Sequence, residues 1–277
     1  MQAISVGPWV LSVGVLALLL GLAGAHGVAG FMRRRGHADT GAVLWWLLLV
    51  ALLAARVAYV LRWWSAYSAS PWWSVLDVRD AGFNPWVGLV VLVLATALLA
   101  WRRRAWRRAL PVAVIGGVCV WAIVGLVAWQ LRASAPPPLP EVALQRLDGD
   151  RIDLASLRGK PMVINLWATW CGPCRREMPM LMEAAADMHG VRFVFANQGE
   201  SAAAVRAYLA REQLASARVV LDTGRDLARY YHAVGYPTTL FLDADGRLRD
   251  MRVGPLSRAS LQAHLRFITS SSTPVND

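Results

Sequence analysis

Residues 161–179 read PMVINLWATWCGPCRREMP, and this stretch decides the fold of the second half of the chain. Its first part, from Pro161 to Trp167, is an almost continuous apolar run typical of a strand buried on both faces. A helix is predicted to follow from about Cys171 to Met188. Two cysteines, Cys171 and Cys174, therefore lie where a buried strand ends and a helix begins.

This placement gives the two cysteines a predictable chemistry. Residues three apart lie on one face of a first helical turn, where their sulfur atoms can form a disulfide. Unpaired N–H groups and the helix dipole stabilise a thiolate at this point, so Cys171 should ionise below the reference pKa of about 8.5. The sequence predicts a redox disulfide with Cys171 as nucleophile and Cys174 as resolving thiol. Pro173 fits the first turn because its missing N–H would have no partner there.

The cysteine pair has two alternative interpretations. A purely structural disulfide is one of them. The other is half of a zinc site, which needs two more ligands, and His189 and His232 provide no second motif with metal-ligand spacing. The sequence therefore predicts neither a metal site nor a cofactor.

The rest of residues 141–277 alternates strands and helices, which predicts an α/β domain with a mixed central sheet. A hairpin is expected around Asp148-Gly149-Asp150 and another around Asp245-Gly246. The remaining predicted strands are 191–196, 218–221 and 238–242, and the remaining helices are 201–212, capped by Ser201, 226–233 and 257–268.

Three stretches together resemble the TlpA/ResA-like branch of thioredoxin-fold proteins. They are 167–179, the NQGES sequence at 197–201 and the GYPTTLFLD sequence at 235–243. The resemblance spans nearly all of residues 141–270. It implies an extracytoplasmic, usually reducing, thiol-disulfide oxidoreductase that receives electrons from a membrane thiol transporter and acts on disulfide-bearing client proteins.

The resemblance also implies roles for individual residues. Pro237 matches the cis-proline that faces the cysteine pair, and Pro179 matches the proline that kinks the active-site helix. Glu177 matches an acidic residue that we expect to accept a proton from the resolving thiol; the alternative is an exposed carboxylate on the helix surface. Asn165 stands where cytosolic thioredoxins carry a buried Asp, so Glu177 or water must replace that proton route.

The candidate substrate-binding residues surround the cysteine pair and are Trp170, Gly172, Pro173 and Tyr236. Reduction of client disulfides, including those of cytochrome c or copper-site apoproteins by family likeness, is the favoured direction because the Gly-Pro dipeptide is like that of reducing thioredoxins. Disulfide oxidation remains an alternative. A copper-handling module that uses the cysteines with Met178, Met180 and Met182 is another, although these methionines are more typical of core filling.

The first half of the chain has a different composition. Residues 1–132 hold 12 Arg, three acidic residues and 12 of the 14 Trp, and they contribute +9 of the net charge of +11. Four apolar segments are long enough to span a bilayer core of about 30 Å. These spans are 8–32, 41–61, 85–101 and 110–131. The arginines separate apolar runs instead of clustering on a folded polar surface, which argues against nucleic-acid binding.

The arginines also predict the topology. Arg33 to Arg35 and the arginines at 102–108 mark two cytoplasmic connections by the positive-inside rule. Four spans then place the second half outside a bacterial inner membrane. A cleaved signal peptide ending near Ala25 is the alternative for the first span, but Met1 to Pro8 has no basic residue.

Three further features of the sequence complete the prediction. Residues 133–140 form a Pro-rich linker that would hold the redox domain some 25 Å from the last span. The membrane half faintly resembles prolipoprotein diacylglyceryl transferase, but Asn84-Pro85 occupies the position of its catalytic His. Arg56, inside the second span, is either functional or extends its side chain towards the outer interface.

Overall fold

The computed structural model describes residues 3–6, 9–68, 71–132 and 138–270. The described residues divide into a helical unit, from Leu11 to Arg132, and an α/β unit that holds residues 138–270 and also includes residues 3–6 and 9–10. This agrees with the predicted fold class, an all-α four-helix half followed by a thioredoxin-like domain with a mixed sheet, which is confirmed.

Four helices of the first unit are long and apolar enough to cross a membrane. They are α1 (Val13–Arg34), α2 (Gly41–Arg62), α4 (Pro85–Arg102) and α5 (Ala109–Arg132), with a short helix α3 (Trp64–Ser68) after α2. The predicted start of the first span at Pro8 is wrong. Pro8 itself lies outside the described residues, but the two-stranded sheet of β1 (Ala3–Val6) and β2 (Trp9–Ser12) precedes α1, and Ser12 Oγ caps the helix by accepting from Val15 N.

Small residues allow close packing between the helices. A Cβ atom on Gly117 of α5 would lie 2.7 Å from the Gly21 carbonyl oxygen of α1, so these two backbones approach as closely as glycine permits. The helix ends that adjoin both Arg-rich connections share one apolar cluster. Its buried members are Ala25, Ala29, Leu44, Leu47, Leu110, Ala113 and Val114. Both connections therefore lie at the same end of the bundle.

The α/β unit is built on a seven-stranded sheet in the order β4-β3-β7-β6-β5-β8-β9. The strands are β3 (Ala143–Arg146), β4 (Arg151–Asp153), β5 (Met162–Trp167), β6 (Arg192–Gln198), β7 (Val219–Asp222), β8 (Thr238–Leu242) and β9 (Leu248–Val253). β5 pairs in parallel with β6 and β6 with β7, whereas the other pairings are antiparallel. The sheet is therefore mixed.

Alternating side chains of the central strands fill two cores, one on each face of the sheet. Val163 and Trp167 of β5 enter one core, and Ile164 and Leu166 enter the other. The helices of this unit are α6 (Gly172–Asp187), α7 (Ala202–Arg211), α8 (Asp226–Tyr230) and α9 (Arg258–Ser270). α8 is shorter than the predicted helix 226–233, because His232 adopts a left-handed φ of 51° that ends it.

The predicted linker is only partly a free connection. Residues 133–137 lie outside the described residues. Leu139 is buried, and its N–H donates to the Gly246 carbonyl at 2.7 Å. Pro138 forms an isolated bridge with Arg247. Residues 138–140 are thus part of the α/β fold, and the spacer is shorter than the sequence predicts.

Candidate active site

The cysteine pair lies directly after the central strand β5. Cys171 is the N-cap residue of α6, and its Sγ accepts a hydrogen bond from the Cys174 N–H at 3.2 Å. The two sulfur atoms are joined in a disulfide, with the Cα atoms 5.3 Å apart. Cys171 is 5% exposed and Cys174 is fully buried. Cys171 is therefore the more exposed of the two cysteines.

Neighbouring residues prepare the start of the helix. Pro173 occupies the first turn, where an N–H is not needed. Pro179 lies inside α6 and lacks the N–H that an uninterrupted helix would donate to the Arg175 carbonyl. Gly172 is exposed beside Cys171, so backbone is accessible next to the reactive sulfur.

Glu177 is buried, which excludes the exposed-carboxylate alternative. Its side chain lies one turn after Cys174 on α6 and is 4% exposed. Asn165 Nδ2 donates to Glu177 Oε1 at 2.9 Å, and the Leu256 N–H donates to Oε2 at 2.8 Å. Burial raises the Glu177 pKa to about 7, although both hydrogen bonds oppose the rise. A carboxyl group with this pKa can accept and release a proton near neutral pH.

Asn165 connects Glu177 to the sheet. Its Nδ2 also donates to Thr239 Oγ1 on β8 at 3.0 Å, so the amide bridges α6 and β8. An amide carries both a donor and an acceptor and can therefore hydrogen-bond to Glu177 in either protonation state. Asn165 stands where cytosolic thioredoxins carry an Asp. It therefore contacts Glu177, the carboxyl group proposed to take over the role of that Asp.

Aromatic side chains form the surface around the disulfide. Trp170 is 65% exposed, and its ring centre lies 6.0 Å from that of Tyr236 in an edge-to-face arrangement. The Tyr236–Pro237 peptide bond is cis, and Pro237 is buried. Tyr236 also packs against the core cluster that contains both cysteines. The substrate-binding candidates therefore provide an exposed apolar surface beside Cys171.

Glu200 is a site residue to which the sequence prediction gave no role. Its carboxylate accepts from Thr169 N and from Asn197 Nδ2, both at 2.7 Å, and from Thr169 Oγ1 at 2.5 Å. It thereby fixes the loop before Cys171 to the end of β6. The signal was present in the NQGES stretch at 197–201, but only the fold shows that this stretch lies beside the cysteine loop.

The three methionines near the cysteine pair do not form a common exposed site. Met178 is fully enclosed in the core, and Met180 and Met182 are partly buried against the same cluster. Among the described residues, no group of three or more His, Cys, Asp or Glu side chains could hold a metal ion.

Arg56 makes its contacts inside the helical unit. Its guanidinium is buried in the helical unit, pairs with Asp80 Oδ1 at 2.9 Å and donates to the carbonyls of Gly82 and Asp77. Tyr67 donates to the other Asp80 oxygen at 2.8 Å. Asn84 caps α4 through its side chain. In the structure Arg56 therefore anchors the segment between α2 and α4.

A mixed sheet that delivers a Cys-Gly-Pro-Cys pair to a helix N-terminus defines the class of thioredoxin-fold thiol-disulfide oxidoreductases. The AhpC/TSA family matches residues 137–251. Thiol-disulfide oxidoreductase ResA of Bacillus subtilis is 30% identical over 136 residues, which cover 48% of this chain and 75% of ResA. Thioredoxin-like protein YneN of the same organism is 28% identical over 164 residues, 54% of this chain and 95% of YneN.

The chain belongs to the AhpC/TSA family of thioredoxin-fold proteins and, with its relatives, to the ResA-type thiol-disulfide oxidoreductases. The resemblance of the α/β half to this family is thus confirmed. Among solved structures, a thioredoxin-family thiol:disulfide interchange protein from Chlorobium tepidum is 29% identical, with a TM-score of 0.43 over 49% of this chain and 97% of that protein.

Proposed function

We propose that this protein is a membrane-anchored reductase of disulfides in exported client proteins, with its redox domain on the outer side of a bacterial inner membrane. The observation that carries the proposal is the placement of Cys171 as the N-cap of α6, with its sulfur towards the helix N-terminus. A helix N-terminus stabilises negative charge, and the thiolate is the attacking form of cysteine.

The reaction begins from the reduced pair. The Cys171 thiolate attacks one sulfur of the client disulfide, a mixed disulfide forms, and the other client sulfur leaves as a thiolate that takes up a proton. Cys174 then gives its proton to the Glu177 carboxylate and attacks Cys171 Sγ. The second client sulfur is released and receives the proton. The client gains two electrons and two protons, and the enzyme is left with the Cys171–Cys174 disulfide.

The surrounding residues position the client in this scheme. Trp170 and Tyr236 offer apolar area next to Cys171, while Gly172 and Pro173 leave the approach to its sulfur open. Pro237 supports the loop that carries Tyr236. A membrane thiol electron donor returns the disulfide to the dithiol. Cytochrome c biogenesis is one process that requires such reduction outside the cytoplasm.

The test of the chemistry is the Cys171→Ser variant of the full chain in detergent micelles. We expect it to lose reduction of insulin disulfides by dithiothreitol above the uncatalysed rate, because Ser cannot form the mixed disulfide. Cys119→Ser is the matched control and should retain full activity, since Cys119 lies in the separate helical unit. Unchanged activity of Cys171→Ser would contradict the proposal.

The direction of electron flow is tested by the reduction potential of the Cys171–Cys174 pair in glutathione buffers. A reductase needs a potential close to that of thioredoxin, about −270 mV, whereas a disulfide oxidase has a much higher one, about −120 mV for DsbA. A reduction potential near about −120 mV would indicate that the pair oxidises client thiols instead of reducing client disulfides. Stoichiometric Cu(I) binding without thiol exchange would instead support copper handling.

A further inference from the structure

A shallow groove lies on the α/β unit beside the loop that carries the cis peptide bond. It has a volume of about 460 Å³ and is lined by residues of α8 and of the segment that follows α8. Tyr236 forms part of its wall and also contacts the Trp170 ring next to Cys171. A peptide whose cysteine reaches Cys171 can therefore pass over Tyr236 and continue into this groove.

The charged side chains that line the groove are positive. They belong to Arg225 and Arg229, with His232 beside them, and no Asp or Glu is among the lining residues. Arg229 is already paired with Asp226. No ion pair of Arg225 is found within the described parts of the chain. Arg225 is therefore the positive charge that remains available to a ligand.

Nearby acidic groups do not neutralise Arg225 by direct contact. Asp222 is buried, and its carboxylate accepts from the Asp226 N–H at 2.8 Å, from Leu227 N–H at 3.0 Å and from Gln198 Nε2 at 3.0 Å. A carboxylate with this many donors already has its charge stabilised by the fold.

The Arg225 side chain lies close to the backbone at Gly199. Gly199 has a φ of +79°, and a Cβ atom there would lie 2.6 Å from Arg225 Nε. Only glycine lets the guanidinium lie this close to the chain. Arg225 is also close enough to the Tyr236 phenol for its charge to oppose the rise in the Tyr236 pKa that burial causes. The cation thus lies between the groove and the active-site loop.

We propose that this groove is a specificity subsite for client segments that carry acidic side chains next to the reactive cysteine, with Arg225 as the recognising cation. The inference rests on the proposed reductase function and names its preferred substrate class. An exposed cation beside a binding surface acts mainly on the encounter rate, and its effect is screened by salt.

The test uses the reduced full chain in detergent and three synthetic peptides. Each peptide carries one cysteine as a mixed disulfide with a thiopyridyl group, followed by Asp, Asn or Lys residues. Release of pyridine-2-thione gives the second-order rate constant. We expect the Asp peptide to react about two- to fivefold faster than the Asn peptide at low salt, the range of an exposed ion pair, and the Lys peptide to react more slowly. The differences should vanish at high salt.

Variants then assign the effect to the groove. Arg225→Gln should remove the preference and Arg225→Lys should keep most of it. Arg218→Gln is the matched control: Arg218 is exposed at the opposite end of β7 from Asp222, so the variant loses the same charge elsewhere and should keep the preference. Equal rates for all three peptides with the wild-type chain, or a preference that survives Arg225→Gln, would overturn the inference while leaving the reductase function intact. Failure of every peptide to react would overturn both.

Discussion

Glu177 places a carboxyl group inside the core, where burial disfavours its ionised form. Its pKa is raised to about 7 from 4.5, and burial is the main cause. Between these two values the folded chain keeps a proton that the unfolded chain releases. The contribution of Glu177 to the free energy of unfolding is therefore fully present below pH 4.5. It falls by an amount on the order of 3 kcal/mol as the pH rises through 7.

The Glu177→Gln variant should therefore lose this pH dependence, because glutamine stays neutral throughout. We expect the wild-type melting temperature to fall relative to that of the variant between about pH 4.5 and 7, with the two close together at low pH. Thermal unfolding of both proteins in the same detergent across this range measures the difference. A constant gap between the two curves would show that the carboxyl group titrates at its ordinary value.

Sequence reasoning at the residue level succeeded where the signal was local. The spacing of Cys171 and Cys174 after a buried strand was sufficient to predict that they lie at the start of a helix and can form a disulfide. The burial of Glu177 could not be predicted from local sequence, because one of its hydrogen-bond partners, Leu256, is 79 positions away along the chain. The partner of Arg56 was equally unpredictable from local sequence, because Asp80 is 24 positions away along the chain.

At the scale of elements, the loop between β5 and α6 depends on one side chain from beyond β6. Glu200 accepts two hydrogen bonds from Thr169 and one from Asn197. Hydrogen bonds to a charged group contribute about 1.5–3 kcal/mol each when a partner is removed. Because Thr169 lies two residues before Cys171, loss of this contact should affect both stability and the position of the loop.

We expect Glu200→Ala to lower the stability of the α/β unit by about 2–4 kcal/mol and to slow client reduction several-fold, since Thr169 N–H and Asn197 lose their acceptor. Thermal unfolding and insulin reduction measure the two effects. Glu212→Ala is the control: Glu212 forms exposed ion pairs with Arg175 and Arg211, so its removal should change stability by less than about 1 kcal/mol. Equal effects of the two substitutions would contradict a specific role for Glu200.

The elements themselves were largely predictable from periodicity and turn residues. Strand 238–242 has the predicted bounds because it is a short apolar run that ends just before the predicted turn at Asp245-Gly246. The errors came from tertiary effects. β1 and β2 precede the first long helix where a longer span was predicted, and Leu139 of the predicted linker is buried against the fold.

For the whole molecule, the arginines of the first half provide the argument for topology. Arg33 to Arg35 and the arginines at 102–108 lie at the same end of the bundle, where the four long helices share an apolar cluster. The positive-inside rule predicts that this end is cytoplasmic. The proposed location of the redox domain outside the membrane depends on this prediction.

Labelling with a membrane-impermeant maleimide tests this orientation in intact spheroplasts. One chain carries Cys119→Ser and Cys174→Ser, which leaves Cys171 as its single thiol. A second chain lacks all three native cysteines and carries Ala105→Cys, next to Arg104 in an Arg-rich connection. We expect the first chain to react before lysis and the second only after lysis, because the bilayer and the arginine bias keep residue 105 inside. The reverse pattern would place the dithiol in the cytoplasm, where exported clients could not reach it.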